Sequence, residues 1–308
     1  MNTSTNVARG FQTSDDARQQ TARRHKQIAR LRRLTGAAIL YLLLLAGSVL
    51  FLIPFVWMLT TSLKSQSEVM LLPIRWIPEN WLWSNYSKAL FGVVPFVTFF
   101  KNTITIVAFD LLGDVFVCAL VGYAFARLRA PGKNILFMLV LSTLMLPEQV
   151  LLVPTYVLYK VFGWLDTLYG LIVPNLLASG AFYIFLFRQF FQTIHRELDD
   201  AAKIDGCGHL GIFWSIMLPL SRPVLITVGI LSFLAHWNSF LWPLILLKSE
   251  ENYTVMIGLR YFQSYNTESS NLPLLMAASI VALIPCLVIF FVAQRNLIQG
   301  VVVSGVKG

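Results

Sequence analysis

Six long apolar segments, separated by shorter polar ones, dominate the 308-residue sequence. Each segment is close to or longer than the about 20 residues that a helix needs to cross a bilayer. Because these runs are too long for buried strands, the pattern predicts an all-α integral membrane protein with six transmembrane helices. The predicted spans are residues 37–59, 104–125, 135–158, 169–190, 219–247 and 274–293.

The composition agrees with this pattern. Apolar residues make up 56% of the chain, the mean hydropathy is +0.68, and only 13% of residues are charged, against about 25% in soluble proteins. The net charge of +9 does not indicate nucleic-acid binding, because eight of the 24 basic residues precede residue 34. We therefore divide the chain into a basic tail, residues 1–36, and a six-helix domain, residues 37–308.

The distribution of basic residues predicts the orientation in the membrane. With the N-terminus inside, 17 of the 24 basic residues fall on the inner side. Because basic residues are retained in the cytoplasm, both termini are predicted to be cytoplasmic. The same orientation places the loop 191–218 in the cytoplasm. The six predicted spans are expected to contact membrane lipid.

Sequence signals for chemistry are weak. The three cysteines, Cys118, Cys207 and Cys286, have no close spacing, so they predict neither a disulfide framework nor a metal site. The chain contains no H-E-x-x-H, no G-x-S-x-G and no P-loop motif. We therefore predict no catalytic residues and no cofactor bound by this chain, and any ATP hydrolysis would belong to another subunit.

A short polar helix in the loop 191–218 is the most informative feature. The helix, about 198–205, is followed by Gly206, which takes a left-handed cap without strain, and Pro219 is predicted to open the next span. A rigid polar helix with two small alanines at its middle could be approached closely by a protein partner. Its candidate contact residues are Asp199, Asp200, Ala201, Ala202, Asp205 and Gly206.

The spacing of this segment resembles a known pattern. Asp200-Ala201-Ala202, Gly206 and Ile216-Met217-Leu218-Pro219 are similar to the EAA loop of permease subunits in binding-protein-dependent ABC importers, E-A-A-x-x-x-G-x9-I-x-L-P. Asp200 stands where that family usually has Glu, which keeps the charge and shortens the reach by one methylene. The resemblance implies that this helix docks into a groove on an ATPase subunit and is moved by its ATP-driven closure.

A second candidate site lies in the fifth span, at His236, Trp237, Asn238 and Ser239. Hydrogen-bonding groups beside an aromatic face are suited to binding a sugar, but Asn and Ser also join helices within membranes, and both interpretations remain open. Within the resembled family, the run W-N-x-F-L-W-P-L is typical of the carbohydrate-importing branch, related to maltose-type and glycerol-phosphate-type permeases. His236 stands isolated among apolar neighbours in the sequence.

Three acids within the spans need an explanation, because each costs about 2.5–3.5 kcal/mol on insertion scales. Asp110 and Asp114 are four residues apart and share a helix face, and Glu148 follows Pro147. A water-filled cavity, a basic partner or a bound proton would each account for them. A structural pairing is favoured over contact with substrate.

The resemblance implies a permease subunit of a bacterial-type inner membrane that imports a sugar, a sugar derivative or a polyol. Its partners would be a second, homologous permease, two ATPase subunits that bind ATP and Mg²⁺, and a periplasmic or lipid-anchored substrate-binding protein. The alternative is a proton-coupled secondary transporter that uses Asp110, Asp114 and Glu148. Such transporters commonly contain internal repeats, and the sequence shows none.

Overall fold

A computed structural model describes residues 34–92, 94–177, 180–264 and 271–305, without the side chains of 261, 263, 264 and 295–305. Apart from residues 34–36, the predicted basic tail lies outside the described residues. Within the described ranges all regular secondary structure is helical. The helices are α1 Leu34–Ser62, α2 Gln66–Val69, α3 Ser84–Phe91, α4 Phe96–Arg127, α5 Lys133–Met145, α6 Glu148–Val161, α7 in two segments Tyr169–Leu176 and Ala181–Thr193, α8 Glu197–Ile204, α9 His209–Leu220, α10 in two segments Arg222–Trp237 and Leu241–Leu246, α11 Val255–Ser264 and α12 Leu272–Gly305.

In the described part of the chain, five helices are long and apolar enough to cross a membrane, and a bent pair, α5 with α6, makes a sixth candidate. The predicted all-α membrane class is therefore confirmed, with five or six candidate spans where six were predicted. The chain divides after Met58 into two compact units. The second unit, from Leu59 onward, contains every site described below.

The third predicted span, 135–158, is wrong as a single straight helix. The axes of α5 and α6 meet at 101°. Leu146 is extended, with ψ 122°, and Pro147 precedes the first residue of α6. The residue before a proline is pushed out of the helical conformation, and proline has no N–H to continue the helix. The apolar run therefore breaks where the Leu-Pro step occurs.

The boundary of the fifth span also differs from the prediction. Pro219 lies inside α9, in the short stretch Leu218–Leu220, and does not open the span. A break at Ser221 separates it from α10, where Pro223 occupies the first turn. Pro223 thus occupies the first-turn position at which proline is tolerated, whereas Pro219 lies in the last turn of α9.

Close packing of α4 against α7 forms one end of the core. Gly122 on α4 leaves no room for a side chain, since an added Cβ would lie 2.7 Å from Phe187 Cβ and 3.1 Å from the Arg188 nitrogen. Small residues allow membrane helices to approach in this way. Phe187, Phe191 and Met217 are fully buried in the same cluster. The helix that leads into α8 is therefore held directly against α4.

Asp166 organises the loop between α6 and α7. Its backbone has φ 57°, and its Oδ1 accepts hydrogen bonds from the backbone nitrogens of Lys248 and Ser249, both at 2.9 Å. The Asn252 amide also donates to Oδ1, and the Ser249 hydroxyl donates to Oδ2. These donors hold the pKa of Asp166 well below its usual range. The carboxylate thus joins this loop to the segment after α10.

Candidate functional site

The polar helix α8 has strong local determinants. Glu197, Asp199 and Asp200 lie in its first turn and Lys203 in its last, which suits the helix dipole at both ends. Gly206 has φ 83°. The Gly206 nitrogen donates to the Lys203 carbonyl at 3.0 Å and the Cys207 nitrogen to the Ala202 carbonyl at 2.9 Å, which is a Schellman cap. The helix is therefore rigid and sharply ended, as the glycine predicts.

The predicted contact residues lie on two different faces of α8. Asp199 and Ala202 are buried against the protein's own core. Asp200, Ala201, Asp205 and Gly206 are exposed. Ile204 is 86% exposed. The exposed part of α8 thus combines Ala201 and Ile204 with two acids, Asp200 and the C-cap Asp205.

Two ion pairs hold charges of α8 in different ways. Lys203 Nζ lies 3.3 Å from Asp200 Oδ1 within the helix, and both side chains are at least half exposed. Arg127, the last residue of α4, places its Nε 3.5 Å from Asp199 Oδ2, and these side chains are only 5% and 10% exposed. Arg127 also donates from Nη2 to the Ile194 carbonyl at 2.6 Å. Arg127 therefore fixes α8 to α4.

A cleft of about 720 Å³ runs alongside α8. Its walls come from the end of α4, from α8 and from the start of α9. Basic side chains outnumber the two acids, Asp199 and Asp200, on these walls. The basic lining residues are Arg127, Arg129, Arg196, Lys203 and His209.

The acids of the second span have a basic partner, His236. His236 Nδ1 lies 3.1 Å from Asp110 Oδ2, and His236 Nε2 lies 2.8 Å from Asp114 Oδ2. The Ser232 hydroxyl donates to Asp114 Oδ2 at 2.8 Å, and the Asn175 amide donates to Asp110 Oδ2 at 3.1 Å. We call these five residues the membrane polar cluster.

The membrane polar cluster joins three helices inside the apolar region. Asp110 and Asp114 belong to α4, Asn175 to α7, and Ser232 and His236 to α10. Asp110 and Asp114 are 1% and 2% exposed. Buried charges in a membrane persist where they pair with one another. The structural pairing favoured from the sequence is therefore present, and His236 is not isolated among apolar side chains.

Of the four remaining substrate-pathway candidates, three have side chains that hydrogen-bond to residues outside this cluster. Trp237 is 3% exposed and donates to the Ala282 carbonyl at 3.1 Å, so it is a packing residue. Asn238 is exposed at the end of a helical segment, and its amide donates to the Leu234 carbonyl at 2.8 Å. Ser239 is half-buried. Glu148 accepts a hydrogen bond from the Trp242 indole.

Sequence reasoning did not identify Arg127, Asn175 and Ser232 as site residues. Asn175 is an amide within an apolar span, and Ser232 precedes His236 by one helical turn. These positions weakly indicated that both residues could take part in a polar site. Arg127 resembled an ordinary topology-setting charge. Its role depends on a contact with a residue 72 positions later, which no local pattern records.

Within the described residues, no group of three or more His, Cys, Asp or Glu side chains is arranged to hold a metal ion.

Comparison with known proteins places this arrangement in a family. Residues 118–303 match the family described as binding-protein-dependent transport system inner membrane component. The chain is 35% identical over 263 residues to the arabinooligosaccharides transport system permease protein AraQ of Bacillus subtilis, covering 85% of this chain and 92% of that protein. It is 34% identical over 269 residues to the sn-glycerol-3-phosphate transport system permease protein UgpE of Yersinia pestis, covering 86% and 95%.

A solved structure shares the fold. A chain of a bacterial ABC transporter involved in the import of the acidic polysaccharide alginate superimposes with a TM-score of 0.75 and 24% identity, covering 85% of this chain and 96% of that one. Neither the family nor these relatives support the alternative of a proton-coupled secondary transporter, and the acids on which it depended are paired with His236 and Trp242. The chain belongs to the family of binding-protein-dependent transport system inner membrane components, and it is a non-enzymatic permease subunit of an ABC importer.

Proposed function

We propose that this permease imports a carbohydrate or a related polyol, and that α8 is the element through which an ATPase subunit drives it. The substrate class is supported by relatives whose names specify arabinooligosaccharides and sn-glycerol 3-phosphate. Substrate would arrive on an external binding protein. A second, homologous permease would complete the path, and two ATPase subunits would bind ATP and Mg²⁺.

The observation that carries the docking assignment is the exposed face of α8. A capped, rigid helix presents Ala201 and an 86% exposed Ile204 to the surroundings. Isolated exposed apolar residues are common, but here Ala201 and Ile204 lie three residues apart on a short helix of fixed orientation, on which Leu198 is exposed as well. A helix whose apolar side chains enter a groove is a recurrent mode of recognition. With both termini in the cytoplasm, this face meets the compartment that contains ATP.

Ala201→Glu tests the docking face directly. The longer charged side chain would hold the ATPase groove away from α8, so we expect ATP-dependent uptake to fall about tenfold or more, the effect typical of a central interface residue. Uptake is measured in proteoliposomes, and retention of the ATPase subunits during purification is measured in parallel.

Ala130→Glu is the matched control. Ala130 is also an exposed alanine, and it lies in the loop between α4 and α5. This variant should remain within about twofold of the wild type, because surface substitutions away from an interface have small effects. Equal uptake by both variants would refute docking through α8.

The substrate class is tested by uptake in cells that lack this gene. A radiolabelled arabinooligosaccharide and sn-glycerol 3-phosphate form the initial panel, extended to other oligosaccharides. Loss of uptake of one of these compounds, restored by the gene, supports the carbohydrate or polyol assignment. Unchanged uptake across the whole panel would exclude it.

A further inference from the structure

We propose that Arg127 and Asp199 form a positioning pair that transmits the movement of α8 to α4. The proposal rests on the proposed docking of an ATPase at α8. Beyond docking, it identifies the internal contact that carries the motion towards the membrane, and it names α4 as the helix that is moved.

The pair is built into the core. Both side chains are at least nine-tenths buried, and Arg127 contacts the α8 region twice, at Asp199 in the first turn and at the Ile194 carbonyl before the helix. A guanidinium is suited to this double contact because its donors are held in a fixed planar fork. Any displacement of α8 relative to α4 must therefore stretch or rotate this contact.

The contact is not at its shortest length in this structure. The Nε–Oδ2 distance of 3.5 Å exceeds the about 2.7–2.9 Å of a charge-assisted hydrogen bond. Arg127 Nε and Asp199 Oδ1 are both buried, and within the described residues neither makes a hydrogen bond. Buried polar atoms without partners are uncommon and call for an explanation. A contact that tightens when an ATPase subunit engages α8 provides one.

Other contacts connect the same helix to the rest of the path. Tyr123, one turn before Arg127 on α4, donates its hydroxyl to the His209 carbonyl at 3.2 Å, so α4 contacts the chain on both sides of α8. Further along α4, Asp110 and Asp114 contact His236 of α10. The helix α4 is therefore anchored at two places, at its last residue by α8 and near its middle by the membrane polar cluster. A shift that enters at Arg127 reaches α10 along one continuous helix, which includes a π-helical turn at Gly113–Val117.

The covalent connection of α8 to its neighbours along the chain would not by itself move α4. The helix α8 follows α7 after only three residues, so α7 moves with it through the backbone. Arg127 is far from α8 in sequence and reaches it only through side-chain contacts. Removing the ion pair should leave the docking face intact while uncoupling α4 from it.

Asp199→Asn and Arg127→Lys test the pair. The first variant keeps the shape of the side chain and removes its charge, and the second keeps the charge and loses the double contact. The readout is the number of ATP molecules hydrolysed per molecule imported in proteoliposomes, using the radiolabelled arabinooligosaccharide or sn-glycerol 3-phosphate, whichever the uptake panel identifies. We expect both variants to retain the ATPase subunits and to hydrolyse ATP, and we expect this ratio to rise by about fivefold or more in Asp199→Asn, the lower end of typical coupling effects.

Glu250→Gln is the control for the carboxyl-to-amide change, because Glu250 is exposed and lies in a short turn after α10. It should leave the ratio unchanged. A wild-type ratio in both test variants would overturn the proposal. Loss of the folded permease in both variants would also overturn it, since the pair would then maintain the fold and not transmit motion.

The docking proposal fails in a different way. If Ala201→Glu retains the ATPase and normal uptake, docking at α8 is refuted whatever the pair does. If Ala201→Glu loses the ATPase while Asp199→Asn keeps both the ATPase and a normal ratio, docking stands and only the transmission proposal is refuted.

Discussion

The helix α8 and the membrane polar cluster are two ways of placing acids in a chain with few charges. In α8, Asp200 is exposed and its partner Lys203 lies three residues away on the same helix. In the cluster, Asp110 and Asp114 are almost completely buried, and their partners come from α7 and α10. The first arrangement leaves charge available to another protein, whereas the second satisfies it within this chain.

The two arrangements should differ strongly in their effect on stability. An exposed ion pair typically contributes about 0–1 kcal/mol, because water screens the charges and solvates them well when they separate. Removing one partner of a buried pair typically costs about 3–5 kcal/mol, because the other charge stays buried without compensation. Substitutions in the cluster should therefore affect folding first, and substitutions on the exposed face of α8 should affect transport first.

His236→Leu should have the largest effect on stability. It removes the basic partner of both Asp110 and Asp114 and leaves two buried acids close together. We expect a cost of about 3–5 kcal/mol, seen as a fall of roughly 10 °C in the unfolding midpoint of the detergent-purified protein. The triple variant Asp110→Asn, Asp114→Asn, His236→Gln has no uncompensated charge and should recover much of this loss. Wild-type stability in His236→Leu would show that the cluster does not hold the spans together.

The same contrast explains what could be predicted from sequence. The helix α8 and its end at Gly206 depend on residues within about ten positions, so local spacing predicted them to within one residue. Asp110 and Asp114 were identified as needing a partner, but His236 lies more than 120 positions away and only the fold brings them together. The bend at Pro147 was missed because hydropathy over the run 135–158 stays high on both sides of it.

In burial, Asp166 is intermediate between exposed Asp200 and buried Asp110. It is half-buried, and it accepts hydrogen bonds from backbone and side-chain donors of the segment after α10. Asp166→Ala removes these acceptors and places alanine at φ 57°, so the unfolding midpoint should fall by less than in His236→Leu.

The pH dependence of the stability contributed by Asp166 follows from the direction in which its pKa is shifted. The folded pKa of Asp166 lies below its usual value, so its stabilisation is complete above about pH 4 and is lost only as the pH falls further towards the folded pKa. The difference in midpoint between wild type and Asp166→Ala should therefore be the same at pH 7 and pH 5. A difference that disappears between these two values would contradict the assignment.

Lys203→Gln should have the smallest effect on stability and thus gives the sharpest test of the comparison. It breaks the exposed pair with Asp200, and because both side chains are well solvated, we expect a change within about 0.5 kcal/mol. The unfolding midpoint should remain close to that of the wild type at low salt and at about 0.5 M salt, since screening acts on a pair that contributes little. The same preparation, reconstituted with its ATPase, shows whether a residue that hardly affects folding affects uptake. If Lys203→Gln lowers the unfolding midpoint as much as His236→Leu does, then the charges of α8 stabilise the fold as those of the membrane polar cluster do. The contrast between acids available to a partner protein and acids paired within the chain would then be wrong.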